Sequence, residues 1–122
     1  MARDGVRVLV VADGMASRRA LRERVKAAFP EGRVDEACTA DEALSMLRRR
    51  DYSLLVADHA VGLLSGADVL EVAAREHPWT MRVLAAAREA APPPGRAHAL
   101  LPLDAPTEAT ANALRTLLGT RA

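Results

Sequence analysis

The chain is poor in aromatic residues: one Trp, one Tyr and one Phe in 122 residues. Any core must therefore be built from aliphatic side chains and closely spaced alanines. Cysteine is almost as scarce. A single Cys38 cannot close an internal disulfide, so an oxidising compartment is not implied, and a small core residue is the expectation for it. Charge of one sign is also lacking. Seventeen basic residues face sixteen acidic ones, for a formal net charge of +1. That balance gives no broad field to gather nucleic acid or an anionic membrane, and no basic stripe or nucleic-acid motif is present. Long apolar runs are missing too. The run Val8 to Ala12 is too short for a signal-peptide core, and nothing approaches the roughly 20 residues that span a bilayer. A cytoplasmic protein is the expectation.

Half of the residues are hydrophobic, enough for a core without metals or disulfides. Their pattern alternates along the chain. Val6 to Ala12 (VRVLVVA), Ser53 to Ala57 (SLLVA) and Arg82 to Ala87 (RVLAAA) are short, nearly continuous apolar runs, as strands buried on both faces read. Weaker strands are expected near Arg33 to Cys38 and Ala97 to Leu101. Helical spacing separates them. Leu21, Val25 and Ala28 share one face of a helix over 15–29, which Pro30 and Gly32 end. Thr39-Ala40-Asp41-Glu42 reads as a capping box that opens a helix through Leu44 and Leu47 to the solvated triplet Arg48, Arg49 and Arg50. Ser65 is placed to cap a helix carrying Val69, Leu70 and Ala73 inward. Asp104, Pro106 and Thr107 open a last helix with Leu114, Leu117 and Leu118 as its stripe and Gly119 beyond its end. Between the last two strands, residues 88–96 (REAAPPPGR) carry three consecutive prolines, which forbid a helix through the middle. The order β-α-β-α-β-α-β-loop-β-α predicts one α/β domain over 1–122, core about 6–118, with a parallel sheet covered on both faces.

Two acids stand at matching places. Asp13 follows VLVVA and Asp58 follows SLLVA. In open parallel sheets, sites lie beyond the carboxyl ends of strands where the strand order reverses. If the first and third strands are neighbours, the two acids converge, and a pair of carboxylates recruits a hard cation such as Mg²⁺ or turns nucleophilic toward a phosphoryl group. The plain alternative is that each Asp only caps a turn. A flavodoxin-like cofactor binder would need a phosphate-cradling loop after the first strand, and Asp13-Gly14-Met15-Ala16-Ser17 does not supply one. His59, His77 and His98 lie at no metal-ligand or triad spacing, which argues against a hydrolase. His59 stands beside Asp58, where a loop side chain of no consequence is the plain reading.

Three segments together, VRVLVVADGMASRRAL, SLLVADHAVGLLSGADVL and LLPLDAPTEATANAL, resemble the receiver domains of bacterial response regulators over about residues 6–118. The resemblance implies a flavodoxin-like, doubly wound, five-stranded parallel sheet in order 2-1-3-4-5. It implies that Asp58 is the phosphoacceptor for a histidine kinase, that Asp13 and Asp58 hold Mg²⁺ with the Ala60 main chain, and that Gly66 and Pro102 match family positions. The departures share one direction. The family's first acid of the pair is Ala12. The hydroxyl residue ending the fourth strand falls at Ala86, or at Ala87 if the register slips by one. The lysine before Pro102 is Leu101, and the proline after the acceptor is Gly62. The helix between the fourth and fifth strands is missing, or replaced by the Pro-rich loop. Since phosphoryl transfer rests on positioning and electrostatics, these losses weaken both the chemistry and the switch.

The expected function is a pseudo-receiver: a protein–protein interaction module in signalling, not an enzyme beyond self-phosphorylation at most, with no cofactor or a weakly bound Mg²⁺. The alternative is a working receiver phosphorylated on Asp58 with Mg²⁺. Expected partners are a signalling protein or histidine kinase, or a second copy meeting the fourth and fifth strands, where Val83, Leu84 or Leu100 would be under-covered. Nucleic acid and membrane are not expected as partners.

Overall fold

The structure is a computed structural model, and it describes residues 6–61, 64–86 and 96–119. The elements run β1 (Arg7–Val11), α1 (Met15–Ala28), β2 (Arg33–Ala37), α2 (Ala40–Arg49), β3 (Leu54–Asp58), β4 (Ala60–Val61), β5 (Leu64–Ser65), α3 (Gly66–Glu76), β6 (Met81–Ala86), β7 (Ala99–Pro102) and α4 (Thr107–Gly119). Five strands form one sheet in the order β2-β1-β3-β6-β7, all neighbours parallel. Counting only these five, the order is 2-1-3-4-5, as the family resemblance implied. The 87–95 stretch, on which the missing-helix expectation falls, lies outside the described residues. Among the described residues no helix is long and apolar enough to cross a membrane.

The three continuous apolar runs became the three central strands, because a strand with neighbours on both sides and helices on both faces can show no polar side chain. Side chains alternate across the sheet. Leu9, Val11, Leu55, Ala57 and Leu84 point toward α2 and α3 and pack with Ala43, Leu47, Val69 and Leu70. Val8, Val10, Leu54, Val56 and Val83 point the other way, toward Leu21, Val25, Ala111 and Leu114 of α1 and α4. The edge strands are more exposed, so their sequence signal was weaker. The fifth strand is Ala99–Pro102, shifted from the expected 97–101.

The helix stripes follow the predicted residues in α1 and α3, where Leu21, Val25 and Ala28, and Val69, Leu70 and Ala73, are buried. In α4 the buried set is Thr110, Ala111 and Leu114, while Leu117 and Leu118 are only partly covered and Gly119 is the last helical residue rather than lying past the end. Thr110 takes one of the inward places. Its hydroxyl accepts from Arg24 Nη1 at 3.0 Å and donates to Thr107 O at 2.9 Å. The capping box at α2 is present with one change. Thr39 accepts from Glu42 N at 3.0 Å, but Glu42 reaches back to the N–H of Cys38, at 2.9 Å, one residue further than the cap itself. That bond, and the Cys38 thiol beside it, hold the Glu42 carboxyl below its ordinary value. Cys38 is therefore exposed, against the expectation of a core residue. It lies just past the end of edge strand β2, in the turn that caps α2.

Two polar devices close the layers. Tyr52, buried, donates to Asp35 Oδ2 at 2.7 Å, and burial plus that carboxylate push its hydroxyl well above its usual pKa. Arg24 of α1 reaches across to the turn between β7 and α4, donating to Leu103 O at 2.8 Å and Ala105 O at 3.0 Å as well as to Thr110. Charge-assisted bonds to otherwise unpaired carbonyls are the strong kind. Arg24→Met, which keeps the apolar stem, is expected to lower the unfolding free energy by about 2 kcal/mol in urea titration. An unchanged midpoint would show that water replaces the guanidinium at no cost.

Candidate functional site

The site is built from the carboxyl ends of β1, β3, β6 and β7. Val11 pairs with Ala57, so the next residues, Ala12 and Asp58, stand side by side at the ends of adjacent strands. Asp58 pairs with Ala85, and Ala85 pairs with Leu101. By strand alternation these four share one face, and Ala12, Ala85 and Leu101 belong to the same apolar cluster. One acid thus stands in a row with two methyl groups and a leucine. Asp58 is 8% exposed, Ala12 is fully buried and Leu101 is 2% exposed.

Ala86, the first choice for the hydroxyl position, pairs with Pro102 and is buried. Alternation puts its methyl on the Leu84 face, opposite the Asp58 row. The next position on the Asp58 face is 87, which lies outside the described residues. Both are alanine, so the register does not change the chemistry: neither can donate a hydrogen bond.

Asp13 is exposed, one residue beyond the row. Its loop is held by Arg18, which a single turn of α1 brings back over the strand end. Arg18 Nη1 donates to Ala12 O at 2.9 Å and Asp13 O at 3.1 Å, and Arg18 Nε lies 3.7 Å from Glu36. The apolar periodicity of α1 gave no reason to single out Arg18. Its distance of about one helical turn from the strand end was the available signal.

After Asp58 the chain makes a turn that the sequence did not reveal. His59 N donates to Ala85 O at 2.9 Å, extending the β3–β6 ladder by one residue. The small antiparallel pair of β4 and β5 follows, and Gly66 N then donates to His59 O at 3.0 Å. Two-residue strands with no periodicity of their own cannot be read from a sequence. Ser65, expected as a helix cap, is the last residue of β5, directly before α3. Gly66 is where the loop closes onto the strand. A Cβ there would lie 2.1 Å from Asp58 O and 3.0 Å from the Leu84 Cδ1 methyl. Only glycine permits α3 to begin against the backbone of the candidate acceptor. His59 Nδ1 lies 3.3 Å from Asp58 Oδ1. The imidazole thus shares the mouth of the site with the carboxylate.

Mg²⁺ asks for near-octahedral oxygen coordination. The chain offers the carboxylates of Asp13 and Asp58 and the Ala60 main chain, and the third acid of such a set is replaced by the buried methyl of Ala12. Among the described residues no group of three His, Cys, Asp or Glu side chains is placed to hold a metal. This set has one carboxylate fewer than the three-acid set that the resemblance implies.

No family model and no curated protein matches the sequence. Solved structures do. The signal receiver domain of an HD domain-containing protein from Pseudomonas fluorescens Pf-5 superposes with a TM-score of 0.85 at 19% identity, over 99% of this chain and 91% of that one. A CheY-like response regulator receiver domain protein from Methanospirillum hungatei JF-1 gives 0.79 at 19% identity, over 95% of each chain. This chain has the receiver fold. The chemotaxis response regulator CheY4 of Vibrio cholerae is similar as well, at 0.77 and 17% identity, over 92% of this chain and 98% of that one. In the receiver fold adopted here, the sheet order places Asp13 and Asp58 at the ends of adjacent strands. Lysine and hydroxyl are absent from the described part of the Asp58 row.

Of the three apolar residues expected to be under-covered, Val83 and Leu84 are buried, at 1% and 0% exposure, and Leu100 is exposed at 38%. The first two lie in a strand flanked on both sides, whereas Leu100 lies on the edge strand β7. The close approach at Gly66 gives a direct test. Gly66→Ala forces α3 off the end of β3 and is expected to cost about 3 kcal/mol or prevent folding, read by thermal or urea unfolding. Wild-type stability in that variant would mean that the contact relaxes without strain.

Proposed function

We propose that this chain is a receiver-type signalling domain, degenerate in its switch, that acts as a protein–protein interaction module. The observation that carries the reading is the row across the sheet end, where Asp58 stands beside Ala12, Ala85 and Leu101. Transfer of a phosphoryl group to a carboxylate builds negative charge that must be neutralised, and a site one metal carboxylate short, with no lysine or hydroxyl among its described residues, has little to neutralise it with. The same losses disarm the response. A switch needs contacts that differ between its two states, and methyl groups make none with a phosphate.

Asp58 in this reading is a retained structural acid, with Gly66 and the His59 backbone fixing its strand end. The domain is not an enzyme beyond self-phosphorylation at most, needs no cofactor, and works in the cytoplasm of a bacterium. Its partner is another signalling protein, docked beside β6 and β7, where the edge strand exposes Leu100; a second copy of the chain is the other candidate for that surface.

The test is chemical. The protein is incubated with Mg²⁺ and a small-molecule phosphodonor under conditions that modify an ordinary receiver, and its intact mass is read with Asp58→Asn as control. No gain of mass is expected. A gain of one phosphoryl group that vanishes in Asp58→Asn would replace this reading with the working receiver and direct the search to a kinase.

A further inference from the structure

The triplet Arg48, Arg49 and Arg50 closes α2, and the structure separates its members. Arg48 turns to α3, where its Nη2 lies 3.7 Å from Glu76 Oε1. Arg49 is the last residue of the helix and Arg50 its C-cap, with an extended backbone at φ −144° and ψ 154°. In an extended chain, side chains two residues apart point to the same side, so Arg50 goes the way of Tyr52, toward Asp35. The Tyr52 hydroxyl registers the approach. Burial and the bond to Asp35 raise its pKa, and the charges of Arg50 and Arg7 oppose that rise. Arg49, Arg50, Asp35 and Met46 together line a cavity of about 330 Å³ beside edge strand β2.

The charges lining this cavity do not cancel. Asp35 is already met: it accepts from the Tyr52 hydroxyl at 2.7 Å and lies 3.5 Å from Arg7 Nη1. Among the described residues no carboxylate lies within ion-pair distance of Arg49 or Arg50. The carboxyl end of α2 contributes roughly half a negative charge, which two whole cations outweigh. Two guanidinium groups lining one cavity present planar forks of N–H donors, the geometry that takes a phosphate group by paired hydrogen bonds. Met46 supplies an apolar wall. The volume lies at the lower end of the range of about 300–1,000 Å³ that small-ligand sites occupy.

We propose that this cavity is a binding site for a small phosphate monoester, with Arg49 and Arg50 holding the phosphate and Met46 against the ester group. Asp35 does not repel the ligand, because its charge is spent on Tyr52 and Arg7. The site lies at the other end of β3 from Asp58: Arg50 precedes the strand, and Asp58 ends it. Binding is non-covalent and needs no metal. The proposal therefore stands whether or not Asp58 accepts a phosphoryl group.

Titration of the ¹⁵N-labelled protein with methyl phosphate, without Mg²⁺ and at constant ionic strength in chloride, tests this by amide NMR. Saturable shifts are expected at Met46, Arg49, Arg50 and Tyr52. Arg49→Gln and Arg50→Gln are each expected to raise the dissociation constant roughly tenfold, the loss of a charge-assisted hydrogen bond. Arg48→Gln removes the same charge one position away and is expected to bind as the wild type does. Shifts that rise linearly without saturating, or an equal loss in Arg48→Gln, would overturn the site. Should a variant fail to fold, the Nε–Hε signals of Arg49 and Arg50 in the wild type decide. Saturable movement of both supports the site, and anything less ends the proposal.

Discussion

Everything at the functional end of this molecule hangs on one close approach: the Cα of Gly66 against the carbonyl of Asp58. β3 is buried on both faces along its whole length, so it can be entered or left only at its ends. At its carboxyl end the backbone runs one residue further along β6, turns through β4 and β5, and returns to Gly66. That return starts α3 at the strand terminus, and α3 then covers the β3–β6 face with Val69, Leu70 and Ala73. A side chain at 66 would push the helix away and open the layer that buries Leu84. The candidate acceptor is therefore also a structural corner, whatever chemistry it carries out.

In the proposed reading, the chemistry is reduced by substitution within the receiver frame. Ala12, Ala85 and Leu101 fill their places tightly and belong to one continuous apolar cluster with Val10, Val56 and Val83. In that reading the fold gains burial where a working site would hold charge. Burying an unneutralised charge is costly, and removing a metal site's acid and cation together avoids that cost. In that reading Ala12 and Leu101 belong together: each stands where the resemblance implies a charge, and each replacement removes a charge that the other would leave without a partner.

How much of this was legible in the sequence depends on the kind of signal. The central strands declared themselves because two-sided burial leaves continuous apolar runs, and α1 and α3 because their stripes are periodic. The strand endings put Asp13 and Asp58 at the carboxyl edge, and the adjacency of their strands, implied by the resemblance, is seen in the β1–β3 pairing. Cys38 was misplaced because burial of a small neutral residue depends on whether the strand has ended, and β2 stops one residue earlier. Leu117 and Leu118 were assigned to the core by periodicity, but both are only partly buried, Leu117 against the core cluster, and Thr110, bonded to Arg24, is among the buried residues instead. The β4–β5 pair, the reach of Arg18 and the bond from the Arg82 N–H to the His98 imidazole are tertiary facts. No local pattern encodes a contact between residues as far apart as Arg82 and His98.

The central claim is that nothing done at Asp58 is transmitted to the rest of the sheet. The most direct measurement is a two-dimensional amide NMR spectrum of the ¹⁵N-labelled protein, recorded with and without Mg²⁺ and a phosphodonor. The account predicts that resonances of β6 and β7 stay in place, with any change confined to residues beside Asp13 and Asp58. Coordinated shifts spreading through β6 and β7 would contradict it and show that the switch still works.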